Sequence, residues 1–126
     1  MPQSIFLSYV YEDHNHRDDV IRWCQGGRLG SNMVTVTESE DVRHLGQTAI
    51  ENHLKPKIRG ASIVLCLVGQ NTHNHDWVRY ELAVATSLNK RVFLARIPGT
   101  TGAPPQGFGQ LLPIPLNPEA IAKALA

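Results

Sequence analysis

Neither sign of charge dominates this chain: 12 Lys plus Arg stand against 11 Asp plus Glu, a formal net charge of +1. Nucleic-acid and membrane-surface binders usually carry a basic surplus, so this balance argues against both and points to a small molecule or another protein as partner. Cysteine is scarce too. Cys24 and Cys66 both fall inside apolar patterns rather than in a spaced framework, which excludes a disulfide scaffold and predicts reduced core thiols in a cytoplasmic protein. The longest apolar run, around ASIVLCLVG, is far short of the roughly 20 residues that a membrane span needs. Met1-Pro2-Gln3 leads straight into a strand-like run, so no signal segment is expected. Repeats, linkers and low-complexity stretches are missing as well, and 126 residues suit one domain spanning 1–126 around a single core.

What is present alternates between two periodicities. SIFLSYV is a continuous apolar run ending at a polar cluster, as a strand buried on both faces would be. Val20, Ile21 and Cys24 then recur at helical spacing, with Asn15 as the expected N-cap and Gly26-Gly27 as the stop. MVTVT alternates at period two. Ile50, Leu54 and Ile58 give a second helix, with Thr48 and Glu51 at capping-box spacing and a last turn bent by Pro56. SIVLCLVG is the clearest strand, a helix over 77–88 follows, and RVFLARI is strand again. Beyond Ile97, PGTTGAPPQGFG is turn chemistry without periodicity. LLPIPL, with two prolines, is at most a short edge strand, and Asn117-Pro118-Glu119 opens a final helix. This order predicts an α/β flavodoxin-like three-layer sandwich: a mostly parallel five-stranded sheet with helices on both faces.

One residue breaks the pattern. In DWVRYELAVATSL, at about 100° per residue with Val78 as zero, Leu82 and Ala85 lie within roughly 40° and Trp77, Val84 and Leu88 at roughly −80° to −120°. Glu81 falls between those groups, at roughly −60°, while Arg79, Tyr80, Ala83, Thr86 and Ser87 form the opposite face. A carboxylate inside an apolar arc costs several kcal/mol unless something compensates. An ion pair with Arg22, Arg43 or Arg96 would do so; a ligand-facing role at the mouth of the sheet would explain it differently, and the residues alone leave both readings open. Glu81 lies about one turn into its helix, close to the carboxyl ends of the strands, where open α/β sheets bind ligands. The first strand delivers Ser8, Tyr9, Tyr11 and Asp13 to that edge, and the second delivers 38–46.

Taken together, IFLSY with its acidic turn, EDVRHLG, the I-x3-L-x3-I run, VLCLVGQNT and DWVRYELAVA resemble the TIR domain family. The resemblance is strongest to its short bacterial branch associated with antiphage defence, which includes the Thoeris signalling subunit. It covers about residues 4–97, and W-x3-E at the start of a helix is its most specific part. The resemblance implies that Glu81 is the catalytic glutamate of an NAD+-cleaving enzyme, with Trp77 its W-x3-E partner. It further implies Ser8 or Tyr9 against the nicotinamide ribose, Arg43 near the pyrophosphate, and Gly69 at the substrate site. NAD+ is then substrate rather than cofactor, and no metal is expected. Water as acceptor gives ADP-ribose; an internal nucleophile gives a cyclic isomer able to act as a messenger. The family also implies self-association through TIR surfaces and a separate effector protein that responds to the product.

His-Asn-His occurs twice, at 14–16 and 73–75, in loops that a flavodoxin-like order makes neighbours. The spacing matches no zinc signature and no Cys or carboxylate completes it, so solvated loop histidines are expected. Two alternatives to the NAD+ enzyme remain: a non-catalytic TIR assembly module, and a nucleoside deoxyribosyltransferase-like glycosyl transferase.

Overall fold

Strands of six residues set the scale of the molecule. The computed structural model describes residues 3–29, 33–38, 52, 55–74 and 76–125. Four equal strands lie side by side in it: β1 (Gln3–Ser8), β2 (Met33–Glu38), β3 (Ile63–Val68) and β4 (Arg91–Arg96). A two-residue strand, β5 (Ile114–Pro115), completes one edge. The order is β2-β1-β3-β4-β5, and every pairing is parallel. Parallel neighbours require long crossovers. Among the described residues the helices that provide them or follow the sheet are α1 (His14–Gln25), a helical stretch at 55–59 (α2), α3 (Asp76–Ser87) and α4 (Pro118–Leu125). The α/β flavodoxin-like architecture expected from the sequence is the one observed.

Side-chain alternation along the strands builds the two cores. Ile5 and Leu7 of β1, with Ile63, Leu65 and Leu67 of β3, face the layer carrying Val20 and Cys24 of α1 and Ile121 and Leu125 of α4. Phe6 of β1 and Val64, Cys66 and Val68 of β3 face the other layer, with Ile58 of α2 and Val78, Leu82 and Ala85 of α3. All six residues of β3 are buried, as expected for a central strand covered on both faces. Each such large aliphatic side chain contributes about 1.5–3 kcal/mol, so β3 is the strand the fold can least spare.

Helix ends follow their local chemistry. Gly27 takes φ 75°, its N–H bonds the Cys24 carbonyl at 3.1 Å and that of Arg28 bonds Trp23 at 2.8 Å, the paired bonds of a Schellman stop. At α4, Asn117 Oδ1 accepts the Ala120 N–H at 2.7 Å, closing the cap that the sequence predicts.

Two expectations are corrected. Asn15 is not the N-cap of α1: a 3-10 turn at Tyr11–Asp13 has already turned the chain, so the helix starts at His14 with Asp13 in the cap position. β1 stops at Ser8, the last residue that still finds a partner on β3 (Cys66), two residues earlier than the apolar run. The described stretch at 55–59 is helical and includes Pro56, whose carbonyl accepts the Gly60 N–H at 3.0 Å; the turn before it, where the expected bend would lie, is outside the described residues. Thr48, Ile50, Glu51 and Leu54 lie outside the described residues.

Two measurements check these ends. Replacing Asn117 with Ala should cost about 1 kcal/mol in urea unfolding, the usual worth of such a cap. Glu119 is held below the usual carboxylate range by its own backbone N–H and then by Arg28, whose Nη2 lies 2.9 Å away. A lowered folded pKa stabilises above the unfolded value and is lost as pH falls through the folded one. Glu119→Gln should therefore melt slightly below wild type at neutral pH, and the difference should vanish on acidification.

Candidate functional site

Glu81 of α3 is fully buried, and so is Ser8, the last residue of β1. The Ser8 Oγ–H donates to Glu81 Oε1 at 2.8 Å. The helical-wheel placement explains the burial: Trp77, Val78, Leu82, Val84 and Ala85 are buried around the carboxylate, while Arg79, Ala83, Thr86 and Ser87 are exposed. Of the arginines considered as ion-pair partners, Arg22 pairs with Asp19 on the surface and Arg96 Nη1 donates to the Gly102 carbonyl at 2.6 Å. Arg43 lies outside the described residues. A hydrogen bond of this kind is worth about 0.5–1.5 kcal/mol, and more when the acceptor is ionised.

The position of this pair in the sheet is as informative as its chemistry. Ser8 is in register with Cys66, so Glu81 sits against the carboxyl ends of β1 and β3. From β1 the chain crosses to β2 on one side and then returns to β3 on the other, which makes the β1/β3 boundary the point where strand order reverses. Open α/β sheets bind ligands at that crevice. A buried anion there can accept hydrogen bonds from hydroxyl groups or stabilise a developing positive charge.

Against this geometry, comparison with known proteins is decisive for family. The sequence model described as "Thoeris protein ThsB, TIR-like domain" matches residues 6–102. The chain belongs to that family. No curated protein matches it. Among solved structures, the "Crystal Structure of a prokaryotic SEFIR domain" resembles it with a TM-score of 0.56 and 16% identity, covering 98% of this chain and 87% of that one. At that identity the likeness concerns the fold alone.

In this Thoeris TIR-like domain the other residues singled out from the sequence separate into groups. Trp77 is buried one turn before Glu81 on the same face of α3. Gly69 follows β3 directly and lies against the Asp13 carboxylate: a methyl group built on it would meet Oδ2 at 2.5 Å and Oδ1 at 2.9 Å. Tyr9 is not brought to Glu81. One residue past Ser8 it points to the opposite layer, where Arg17 Nη1 donates to its hydroxyl at 2.8 Å and the guanidinium lies 5.4 Å from the ring centroid. His14 and His16 sit in the first turn of α1 and His73 in a 3-10 turn at Thr72–Asn74, while His75 lies outside the described residues. The loops themselves are neighbours, since Asn71 Nδ2 donates to Glu12 Oε2 at 3.2 Å. Among the described residues no group of three or more His, Cys, Asp or Glu could hold a metal, and no helix is long and apolar enough to cross a membrane.

Two features of the site escaped the sequence reading. Cys66, taken as plain core, touches the site electrostatically: burial and then the charge of Glu81 push its thiol far up, opposed by a hydrogen bond with Ser8 and helped least by Asp13. It therefore stays a neutral thiol beside the carboxylate. Thr72 is fully buried and fastens the turn after β3, accepting the Gly69 N–H at 2.8 Å and donating to the Leu67 carbonyl at 3.2 Å. The G-x-x-T spacing of a hydroxyl-capped turn is the signal that would have found it. A groove of about 630 Å³ lined by Thr86, Asn89, Lys90, Phe108 and neighbours lies on the other side of α3 and includes neither Ser8 nor Glu81.

Glu81→Gln keeps the side chain's shape and an acceptor for Ser8 while removing a buried charge. It is expected to melt no lower than wild type by differential scanning calorimetry. A loss of about 3 kcal/mol or more would instead mark Glu81 as half of a structural ion pair.

Proposed function

We propose that this domain cleaves the N-glycosidic bond of NAD+ with Glu81 as the catalytic carboxylate, and that the product signals to a separate effector in cytoplasmic antiphage defence. The observation that carries the reading is a fully buried glutamate, oriented by Ser8 at 2.8 Å, at the reversal point of a parallel sheet. Membership of the Thoeris ThsB family supports it.

The chemistry suits one anion. The bond between the anomeric carbon and the pyridinium nitrogen breaks, and its electron pair stays with nitrogen, so nicotinamide leaves neutral without protonation by a general acid. That is the contrast with an O-glycoside. Positive charge appears on the ribose as the bond lengthens, and Glu81 stabilises it while accepting hydrogen bonds from the ribose hydroxyls. The Ser8 hydroxyl fixes which oxygen of Glu81 faces the sugar. Attack by water gives ADP-ribose and a proton; attack by an internal nucleophile of the same molecule gives a cyclic isomer and the same proton.

A second reading, a non-catalytic module that works by homotypic assembly, is favoured by one observation: both Ser8 and Glu81 are fully buried in the single chain. The two readings meet if assembly is what opens the site. Nicotinamide release measured by chromatography, at dilute and concentrated protein and with nucleosides as control substrates, separates them. Glu81→Gln should lose at least about 100-fold in rate, the scale of losing a principal electrostatic stabiliser. Ser8→Ala should lose about tenfold, corresponding to about 1.4 kcal/mol of positioning. Equal turnover by Glu81→Gln, or no base release from NAD+ at any concentration, defeats the enzyme reading; release from nucleosides alone selects a nucleoside glycosyl transferase.

A further inference from the structure

The groove on the outer side of α3 is built from side chains that the Ser8–Glu81 site does not use. Its floor is Val92 of β4, in the half of that strand left only partly covered. One wall is the exposed face of α3, where Ala83 and Thr86 stand about one turn apart. The other wall is the loop before β5, whose Phe108 and Leu111 pack inward on the α3 core while part of each stays at the surface. Both ends are bounded. Arg79, about one turn before Ala83, donates to Gln106 Oε1 at 2.6 Å and ties the two walls together at one end. At the other end Asn89, with φ 59°, turns the chain out of α3 and Lys90 follows.

Lys90 is the charged residue of this lining, and it is not a loose surface lysine. It is half-buried, and its Nζ is held on the Arg59 carbonyl at 2.9 Å. That bond uses one of three ammonium donors and supplies no opposite charge. None of the nine lining residues is acidic, and among the described residues no carboxylate pairs with Lys90. A cation fixed beside an apolar trough is stabilised by an anion, and the trough by an apolar body that covers it. One molecule does both if it carries its anion at one end of such a body. The volume, about 630 Å³, lies within the range of about 300–1,000 Å³ usual for small-molecule sites. The bounded ends suit such a molecule better than a continuous polypeptide, which would have to pass over the Arg79–Gln106 bond or the turn at Asn89. We propose that this groove is a second ligand site, taking a small molecule with an anionic group on an aliphatic or aromatic body. The anion meets Lys90, and the body lies on Val92, Phe108 and Leu111. The site shares α3 with the candidate active site but none of its side chains.

Two fluorescent probes that brighten in apolar surroundings test it on the full chain: anilinonaphthalene sulfonate, and phenylnaphthylamine, which has the same ring system without the sulfonate. Saturable binding of one sulfonate per chain is expected. Lys90→Met keeps an unbranched stem and removes the charge. It should weaken the sulfonate about tenfold, the scale of one charge pair near a protein surface, and shift the uncharged probe by less than about twofold. Ala83→Trp adds a large ring at an exposed helix position facing the trough and should weaken both probes at least about tenfold, with circular dichroism confirming that each variant is folded. Displacement of the sulfonate by decanoate assigns an aliphatic acid, and displacement by adenosine monophosphate a nucleotide. If Lys90 merely ties the end of α3 to Arg59, Lys90→Met lowers the melting temperature and leaves both affinities alone, which overturns the proposal. Failure of the sulfonate to saturate, undiminished binding to folded Ala83→Trp, or displacement by neither acid overturns it as well. The assay involves no turnover, so its outcome and that of the NAD+ reading are decided separately.

Discussion

The hydrogen bond from Ser8 to Glu81 is the constraint around which the structure is arranged. It joins the last residue of the inner strand β1 to the second turn of α3 across the sheet face, at 2.8 Å. A helix packed by apolar contacts alone can slide or roll by a fraction of a turn at modest cost, because dispersion is undirected. A carboxylate held by a hydroxyl is harder to shift, because any slide or roll of the helix breaks a directed bond as well as apolar contacts. The pair therefore fixes both the rotation and the height of α3, and Trp77, Val78, Leu82 and Ala85 pack in the register that results. The acid that looks least suited to the helix is what orients it.

The same corner shows how small residues make room for chemistry. Between Val68 and the turn at Thr72, the chain has a glycine where Asp13 arrives from one side, and the Gly102 backbone closes on the other. Ordinary side chains at either glycine would push the strand ends apart. Cys66, fully buried between them and with its thiol pushed up by burial, contributes bulk to this corner. The ends of β1 and β3 are thus rigid, while the polar groups they carry are few and individually placed.

How much of this was legible in the residues depended on the kind of interaction. Strands β1 and β3 announce themselves because burial on both faces demands unbroken apolar runs, β4 because VFLA is apolar although only Leu94 and Ala95 are fully covered, and α3 because its buried arc is wide. Glu81 stood out for the same reason, as an exception inside that arc. Of the two alternatives Ser8 and Tyr9, the structure puts Ser8 on the α3 side and Tyr9 in the opposite layer, because neighbours in an extended chain point opposite ways. The boundary at Asp13 was missed because Asn15 is an equally good capping residue, and only the preceding turn, fixed by the Asp13 N–H to Val10 carbonyl bond, decides between them. Contacts such as Gly102 on Gly69 join residues more than thirty positions apart through backbone atoms, and backbone contacts leave no periodic trace.

The connection from β4 to β5 has two halves of different character, and this bears on how the domain can be remade. Its first half is bolted to the end of β3 through Ile97, Thr100, Thr101 and Gly102. Its second half is held by local turns, with the Phe108 N–H on Pro105 and the Leu111 N–H on Phe108, by Phe108 and Leu111 packed on the core of the α3 layer, and by a surface bond from Arg79 to Gln106; it carries Leu112 at 88% exposure. Natural insertions, fused reporter domains or new chain ends from circular permutation would be accommodated next to Leu112 and rejected at the fastened stretch 97–102. An exposed leucine mounted on a closely bonded root is a place where a side chain can be exchanged without disturbing the acid at the centre.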